Sequence, residues 1–202
     1  NRVVCNDEIY RKMLADKDVI KILYVGRFEE RRNIRFIIDV FQKVQVQNDK
    51  VKLYMIGTGK KEYVQSCFSY INELGLKDKV VWQEKMEQKF LSEIYQLADF
   101  FVLPTEYEIF GMVLLEAMYY KTVVLTTQNG GSSTVMHNGK DGYVIQTKDP
   151  REWANVITDT YKDKGKMKMI QNNAHEEIKN NYTWDMVSER FLNQYNELLE
   201  KQ

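Results

Sequence analysis

The amino-acid sequence predicts a doubly wound α/β fold, in which helices cover both faces of a parallel sheet. Up to residue 146, short runs of apolar residues, many of them β-branched or aromatic, alternate with helical patterns. The apolar residues of each run are consecutive, as is typical of strands that are covered on both faces. Strand and helix patterns that alternate every 20 to 30 residues or so indicate right-handed crossovers and a parallel sheet.

The order of the elements follows from these patterns. The runs predicted to be strands occupy residues 21–26, 51–57, 79–84, 99–103, 122–126 and 142–146. Apolar residues at helical spacing predict helices between the strands, at about 34–44, 87–98 and 110–120. Beyond residue 149 the strand patterns stop, and helices are predicted at about 149–162, 164–180 and 184–200.

Composition excludes several classes of protein. The 202 residues include 29 basic and 29 acidic side chains, so the formal net charge is zero. A protein that binds nucleic acid regardless of sequence needs an excess of Lys and Arg, and we therefore expect no nucleic-acid partner. Cys5 and Cys67 give neither a disulfide framework nor the spacing of metal ligands, which indicates a reducing compartment. No apolar run reaches the ~18 to 20 residues that a membrane span requires.

The ends of predicted strands are where chemistry is expected, because ligands of open α/β sheets bind beyond the carboxyl ends of the strands. The first strand ends at Gly26 and Arg27, and Arg32 follows shortly before a helix. Two guanidiniums at such an edge would hold an oxyanion, for example a diphosphate. The alternative is that both arginines are solvated members of a charged run.

The second strand ends at Gly57-Thr58-Gly59, which is part of a glycine-rich phosphate turn. Glu62 stands where the third glycine of such a turn would be, which weakens any interpretation as a nicotinamide-dependent dehydrogenase. A tight structural turn is the alternative. The same two alternatives hold for Gly130 and Gly131, which follow the fifth strand and either let the backbone approach a ligand or form the turn into a helix.

The segment after the fourth strand is the most informative. Gly111 comes at the start of a predicted helix, whose exposed N–H groups and dipole would attract an anion. Glu116 lies further along this helix, and its neighbours three and four positions away are apolar or aromatic. A carboxylate buried without partners is unfavourable and has a raised pKa. The two hydroxyls of a ribose would satisfy it, and an ion pair with Lys121 or a core arginine is the alternative.

Taken together, these segments resemble the C-terminal, donor-binding domain of group 1 (family 4) retaining glycosyltransferases of GT-B architecture. Glu108 and Glu116, with seven residues between them, match the paired-glutamate motif of that family, and Phe110-Gly111 stands in the expected place. The other matching segments are the glycine-arginine segment 25–33, the glycine turn 54–60 and the closing helix 182–195. The resemblance extends from about Lys21 to the end of the chain.

The resemblance implies a role for each site residue. Arg27 and Arg32 would neutralise the diphosphate of the donor, and Glu116 would accept hydrogen bonds from its ribose. Glu108 would contact the sugar hydroxyls and help to stabilise an oxocarbenium-like transition state. Glu84, Lys85 and Met86 would face the base through their backbone. Further contacts to the phosphates and the sugar would come from Gly26, Gly57, Ile109, Phe110, Gly111, Met112, Gly130 and Gly131.

Three positions depart from the pattern of the family. Arg32 stands where a lysine is usual, which keeps the charge and changes its geometry. Glu84 replaces a glycine after the third strand, and Thr134 replaces a glutamate after the double glycine. The contacts to the base and from position 134 would therefore differ from those usual in the family.

The resemblance also implies how the chain is divided. Residues 1–19 would be a linker or the remnant of a preceding domain, 20–182 the Rossmann-like donor domain, and 183–202 a helix that packs back toward an N-terminal domain. Since the chain does not begin with Met and the acceptor site of GT-B enzymes lies mostly on that domain, we expect a part of a longer protein that is inactive alone.

The expected reaction is transfer of a hexosyl group, with retention, from a UDP-sugar or GDP-sugar to a glycan, a lipid or another acceptor. No metal or other cofactor is expected. The expected location is the cytoplasm, or the inner face of the membrane through the other domain, and the expected pathway is polysaccharide biosynthesis. The alternatives are a non-catalytic interaction module that kept the fold and a sugar-nucleotide epimerase.

The remaining reactive residues are expected to have no catalytic role. The single D-x-D sequence, Asp16-Lys17-Asp18, lies before the first strand and is interpreted as solvated linker rather than as a metal site. His137 and His175 lie in polar segments and are interpreted as surface residues. Cys67 has no partner nearby in the sequence that would make it a nucleophile.

Overall fold

A computed structural model describes residues 7–199 and confirms the doubly wound α/β fold. Its strands are β1 (Ile20–Val25), β2 (Val51–Ile56), β3 (Val80–Gln83), β4 (Phe100–Leu103), β5 (Val123–Thr126) and β6 (Tyr143–Val144). Its α-helices are α1 (Glu8–Ala15), α2 (Ile34–Gln47), α3 (Lys61–Glu73), α4 (Gln88–Leu97), α5 (Met112–Tyr119), α6 (Gly130–Val135), α7 (Pro150–Lys162), α8 (Lys164–Asn181) and α9 (Trp184–Leu199).

All described strand pairs are parallel, and the strand order is β3-β2-β1-β4-β5-β6. The chain moves outward from β1 to β3 and then returns to the other side of β1 with β4. The order therefore reverses between β1 and β4, and the crevice of such a fold lies beyond the carboxyl ends of these two strands. All six predicted strands are present, although the one predicted at 142–146 is reduced to two residues.

Burial explains why the strand signals are continuous. Every residue of β4 and of β5 is buried, because helices cover both faces of the middle of the sheet. β3 lies at an edge, and none of its residues is fully buried. Trp82 on this strand is 36% exposed and packs with its ring against Phe68 of α3.

The segment interpreted as a linker or as the remnant of a preceding domain contains a helix that the sequence did not predict. Ile9 and Met13 lie one turn apart on α1, and both are buried where this helix packs against α4 and β3. The polar residues on its outer face conceal this short stripe in the sequence. Asp16 is likewise not a free solvated group, because its carboxylate lies 2.7 Å from Lys52 Nζ and accepts a hydrogen bond from the hydroxyl of Tyr54.

The last helix has an apolar stripe that nothing covers within the described chain. α9 starts at Trp184, as predicted, and none of its described residues is buried. Trp184 is 85% exposed, and Phe191, Tyr195 and Leu198 are each at least 65% exposed. Packing of this helix toward another domain stays a prediction. No helix within residues 7–199 has the length and apolar character needed to cross a membrane.

Candidate active site

The loops after β1 and β2 are in backbone contact. The N–H of Gly26 donates to the carbonyl of Ile56, and that of Gly57 donates to the carbonyl of Gln83, both at 3.0 Å. A Cβ on Gly57 would lie 1.8 Å from the carbonyl oxygen of Gly26, and one on Gly59 would lie 2.1 Å from that of Phe28. The two glycines of the second loop are therefore explained by close packing against the first loop, which favours the structural alternative.

We expect Gly57→Ala to lower the free energy of unfolding by about 3 kcal/mol or more, since the new Cβ meets backbone and the φ of +147° is strained for any other residue. Gly75→Ala is the matched control. Gly75 also has a positive φ, +68°, but open space around it, so only strain of about 1 kcal/mol is expected. Urea unfolding of both variants measures the difference, and equal losses would contradict the collision.

The two predicted arginines differ in their surroundings. The side chain of Arg32 is 15% exposed, and its Nη1 binds the carboxylate of Glu108, whose side chain is 17% exposed. The side chain of Arg27 is 75% exposed, and its Nε lies 2.8 Å from the carboxylate of Glu29. Arg32 and Glu108 are thus brought together in the crevice, whereas Arg27 extends into solvent beside its own acidic neighbour.

Polar contacts join the loop after β1 to the loop after β4. Asn33, at φ +51°, donates from its side chain to the carbonyl of Pro104 at 2.7 Å. The hydroxyl of Thr105 lies 3.0 Å from the carbonyl of Arg31 and 3.1 Å from that of Tyr107. Arg32 lies in the sequence between Arg31 and Asn33, so these contacts fix the backbone position from which its side chain extends.

The double glycine after β5 packs against the 104–111 loop. The N–H of Gly131 donates to the carbonyl of Glu108 at 3.0 Å, and a Cβ there would lie 2.7 Å from the carbonyl of Phe110. A Cβ on Gly130 would lie 2.8 Å from the carbonyl of Glu108. These two glycines therefore allow the backbone of the loop that carries Glu108 to pass close to the start of α6. The buried side chain of Asn129 adds a bond to the carbonyl of Thr105 at 3.1 Å.

α5 begins immediately after Gly111, which has a φ of +76° and caps the helix. This glycine is not interior to the helix, so the penalty of a mid-helix glycine does not apply. Ile109, Phe110 and Met112 are 73%, 42% and 57% exposed around this helix start. The amino end of α5 therefore opens at the surface with apolar side chains around it.

Glu116 lies half-buried on α5, and the ion pair considered for it is absent from the described residues. Its Oε2 accepts a hydrogen bond from the hydroxyl of Tyr95 at 3.0 Å. Lys121 instead donates to the side chain of Asn172. Burial raises the pKa of Glu116, and the Tyr95 hydrogen bond opposes this rise. The carboxylate thus has one neutral donor and unused acceptor capacity.

The residues expected to face a base lie beyond β3. Glu84 and Lys85 are exposed, while Met86 packs partly against the core. The carboxylate of Glu84 accepts from the hydroxyl of Thr58 at 3.2 Å. A separate cavity of about 410 Å³ lies between the loops after β1 and β2, and charges of both signs line it: Arg27, Arg31 and Lys60 with Glu29 and Glu30.

The other reactive residues have structural partners. His137 is exposed, with Nδ1 2.8 Å from the carboxylate of Asp141, which is 1% exposed. These two residues and Glu177 offer ligand atoms within 4.8 Å of one another.

His175 and Cys67 also have structural surroundings. Nδ1 of His175 lies 2.5 Å from the carbonyl oxygen of Tyr119. Cys67 is buried, and burial raises the pKa of its thiol. Sequence reasoning did not single out Asp141 or Tyr95, because neither residue is part of a recognisable spacing pattern.

Comparisons with known proteins bear on this geometry. The sequence profile of "Glycosyl transferases group 1" matches residues 6–177. An uncharacterized glycosyltransferase of Methanocaldococcus jannaschii is 30% identical over 189 residues, which are 92% of this chain and 47% of the relative. A probable sucrose-phosphate synthase of Thermosipho melanesiensis is 28% identical, covering 91% of this chain and 42% of the relative. The chain thus spans about half the length of these relatives.

Solved structures show the same fold. The structure of HepE from Anabaena in complex with UDP and glucose has a TM-score of 0.83 at 18% identity, covering 96% of this chain and 53% of that chain. The C-terminal domain of a group 1 family glycosyl transferase from Francisella tularensis has a TM-score of 0.77 at 18% identity. In that comparison 88% of this chain and 95% of that chain are covered.

Proposed function

The chain belongs to the group 1 glycosyl transferases, and we propose that it is the part of such an enzyme that binds the nucleoside-diphosphate sugar. The observation that carries this proposal is the pair of glutamates around the start of α5. Glu108 forms an ion pair with Arg32 in the crevice, and Glu116 presents a half-buried carboxylate that no described cation neutralises. An anionic group and a diol, as in a nucleoside diphosphate, would satisfy both ends of this arrangement.

Arg32 would bind the diphosphate of the donor. Its side chain is largely buried, and its Nε has no hydrogen-bond partner within the described part of the chain. A guanidinium forms its strongest hydrogen bonds with oxyanions and often binds them through two nitrogens. Arg27 on the loop after β1 and the amino end of α5 after β4 would add positive electrostatic potential at the diphosphate.

Glu116 would accept hydrogen bonds from the ribose. Its Oε1 is available as an acceptor within the described part of the chain, while its Oε2 keeps the bond to Tyr95. Hydroxyl donors would stabilise the charged form that burial opposes. The residues after β3 would hold the base through their backbone. Glu84 would fix this segment by accepting the hydrogen bond from Thr58.

Catalysis would depend on charge stabilisation at the leaving group. The departing nucleoside diphosphate develops negative charge, and preorganised cations and N–H groups aimed at it lower the barrier most. We propose that Arg32, Arg27 and the start of α5 supply this charge without a metal ion. Glu108 would contact the sugar hydroxyls and stabilise the positive charge that develops on the sugar during transfer with retention.

The acceptor site would lie in the rest of the enzyme. Relatives about twice as long as this chain support a second domain, and the exposed stripe on α9 is a surface on which it would pack. A glycan or lipid-linked acceptor is proposed from the membership of the chain in the group 1 glycosyl transferases. The same stripe would also serve a non-catalytic interaction module, which is therefore the second candidate and would need no nucleotide.

Titration calorimetry with UDP and GDP tests the proposal directly. HepE of Anabaena was solved with UDP, so UDP is the first probe. We expect a dissociation constant of about 1 mM, because one buried guanidinium and one carboxylate that each contribute about 2 kcal/mol give about 4 kcal/mol together. EDTA should leave this affinity unchanged. No heat with either nucleotide at millimolar concentration would contradict donor binding and favour the interaction module.

A further inference from the structure

Tyr95 lies beneath Glu116, and neither the sequence patterns nor the proposed contacts include it. Its side chain is fully buried, and its hydroxyl donates to Oε2 of Glu116 at 3.0 Å. The two residues belong to different helices, α4 and α5, and are 21 positions apart. The bond therefore connects the carboxylate to the core of the domain rather than to its own helix.

Two aromatic neighbours hold the ring of Tyr95, and a hydrogen bond holds its backbone. It stacks on Tyr120 with an interplanar angle of 8° and meets the edge of Phe101 at a centroid distance of 5.8 Å. Its carbonyl accepts a hydrogen bond from the buried hydroxyl of Thr122 at 2.6 Å. A tyrosine has only two side-chain torsions, so this packing fixes the position of its hydroxyl.

Glu116 is less constrained by its own packing. It has three side-chain torsions and is half-buried, so rotation toward solvent would relieve the unfavourable burial of its charge. Within residues 7–199, the Tyr95 hydroxyl is the hydrogen-bond partner recorded for this carboxylate. Loss of that bond would let the carboxylate leave the crevice.

We propose that Tyr95 is a positioning residue for nucleotide binding, whose hydroxyl holds one oxygen of Glu116 so that the other faces the ribose hydroxyls of a nucleoside diphosphate. This inference rests on the proposed function of Glu116. Its consequence is selective: Tyr95 contributes to affinity only when the nucleotide carries ribose hydroxyls.

A purely structural role predicts a different result. A buried tyrosine hydroxyl needs an acceptor, and Glu116 would then serve Tyr95 rather than the reverse. In that case Tyr95→Phe would change the unfolding midpoint and would weaken all nucleotides equally. Comparison of UDP with its 2′,3′-dideoxy analogue separates the two roles, because the analogue lacks both hydroxyls that Glu116 would bind.

The experiment is calorimetric titration of the wild-type chain and of Tyr95→Phe with both nucleotides. We expect Tyr95→Phe to weaken UDP binding by about fivefold to tenfold and binding of the dideoxy analogue by less than about twofold. Tyr120→Phe is the matched control, and it should leave both affinities unchanged. Tyr120 packs on the same ring, and its hydrogen bond to Glu116 joins backbone N–H to backbone carbonyl, which this substitution keeps. Equal losses for the two nucleotides in Tyr95→Phe, or no loss, would overturn the inference.

The outcomes keep the inference separate from the proposed function. If the wild-type chain binds no nucleotide, the proposed function fails first. If Glu116→Gln weakens UDP and Tyr95→Phe does not, only the positioning role fails. Should Tyr95→Phe not fold, Thr122→Val removes the hydroxyl that anchors Tyr95, and it should reduce the preference for UDP over the dideoxy analogue by about twofold to threefold. An unchanged preference there would also overturn the inference.

Discussion

Replacement of Glu116 is expected to remove most of the affinity for UDP. Glu116→Gln keeps the shape and an acceptor for Tyr95 but loses the charge, so we expect binding about tenfold weaker. Glu116→Ala loses the acceptor entirely, and we expect binding about a hundredfold weaker. Glu106→Gln is the control, because this glutamate lies on the loop before α5, is exposed and pairs with Lys148 at 2.6 Å. Calorimetry that finds Glu116→Gln equal to the wild type would refute the ribose contact.

The affinity for UDP should also depend on pH through this group. Burial raises the pKa of Glu116, and only the ionised form accepts hydrogen bonds with both oxygens. UDP binding should therefore weaken as the pH falls through the raised pKa, above the usual range of a glutamate. Glu116→Gln should weaken less over that interval, because only the protonation of the terminal phosphate of UDP then remains. Parallel pH profiles of the two proteins would contradict the assignment.

The contribution of Glu116 to the stability of the free protein should change with pH in the direction opposite to that of UDP binding. A carboxyl whose folded pKa is raised binds more protons in the folded state, so its contribution to stability is lost as pH rises through that pKa. Near neutral pH the charged Glu116 is thus a liability in the free protein, and Glu116→Gln should unfold at an equal or higher temperature than the wild type. Weaker binding without lower stability is the pattern expected of a residue retained for a ligand.

The sequence predicts the sheet well because the strand signals are local. The consecutive apolar residues of β4 and β5 are all buried, because helices cover both faces of these strands, and this pattern is visible within each strand alone. α1 was missed because only Ile9 and Met13 carry its apolar stripe among charged neighbours. The glycines are the instructive case. Gly57 and Gly131 are needed because other backbone passes beside them, and a sequence does not show which neighbour demands the space.

The sequence gives candidate site residues one by one, but it does not give the contacts between them. The apolar surroundings of Glu116 were visible from helical spacing, whereas its partner Tyr95 lies on another helix. Arg32 and Glu108 were both chosen for the site, yet their mutual contact joins positions 76 apart. Such contacts depend on how β1 and β4 come to lie side by side, which is a property of the whole sheet.

The contact between Arg32 and Glu108 leads to the second large prediction. Arg32→Gln should weaken UDP binding by about tenfold or more, since it removes a largely buried guanidinium. Arg27→Gln is the matched control for a general loss of positive charge. Arg27 is 75% exposed, and solvent-exposed charge interactions contribute about 0 to 1 kcal/mol, so a loss of at most about fivefold is expected.

Glu108→Gln should have the opposite effect on UDP. In the free protein the carboxylate of Glu108 neutralises Arg32 and would repel an incoming diphosphate, so its removal should strengthen UDP binding by about threefold or more. With a UDP-sugar this gain should be offset, because Glu108 is proposed to contact the sugar hydroxyls. The double variant Arg32→Gln/Glu108→Gln avoids leaving either charge unpaired and should bind UDP as weakly as Arg32→Gln. If Glu108→Gln instead weakens UDP, the carboxylate holds Arg32 in place for the diphosphate rather than competing with it.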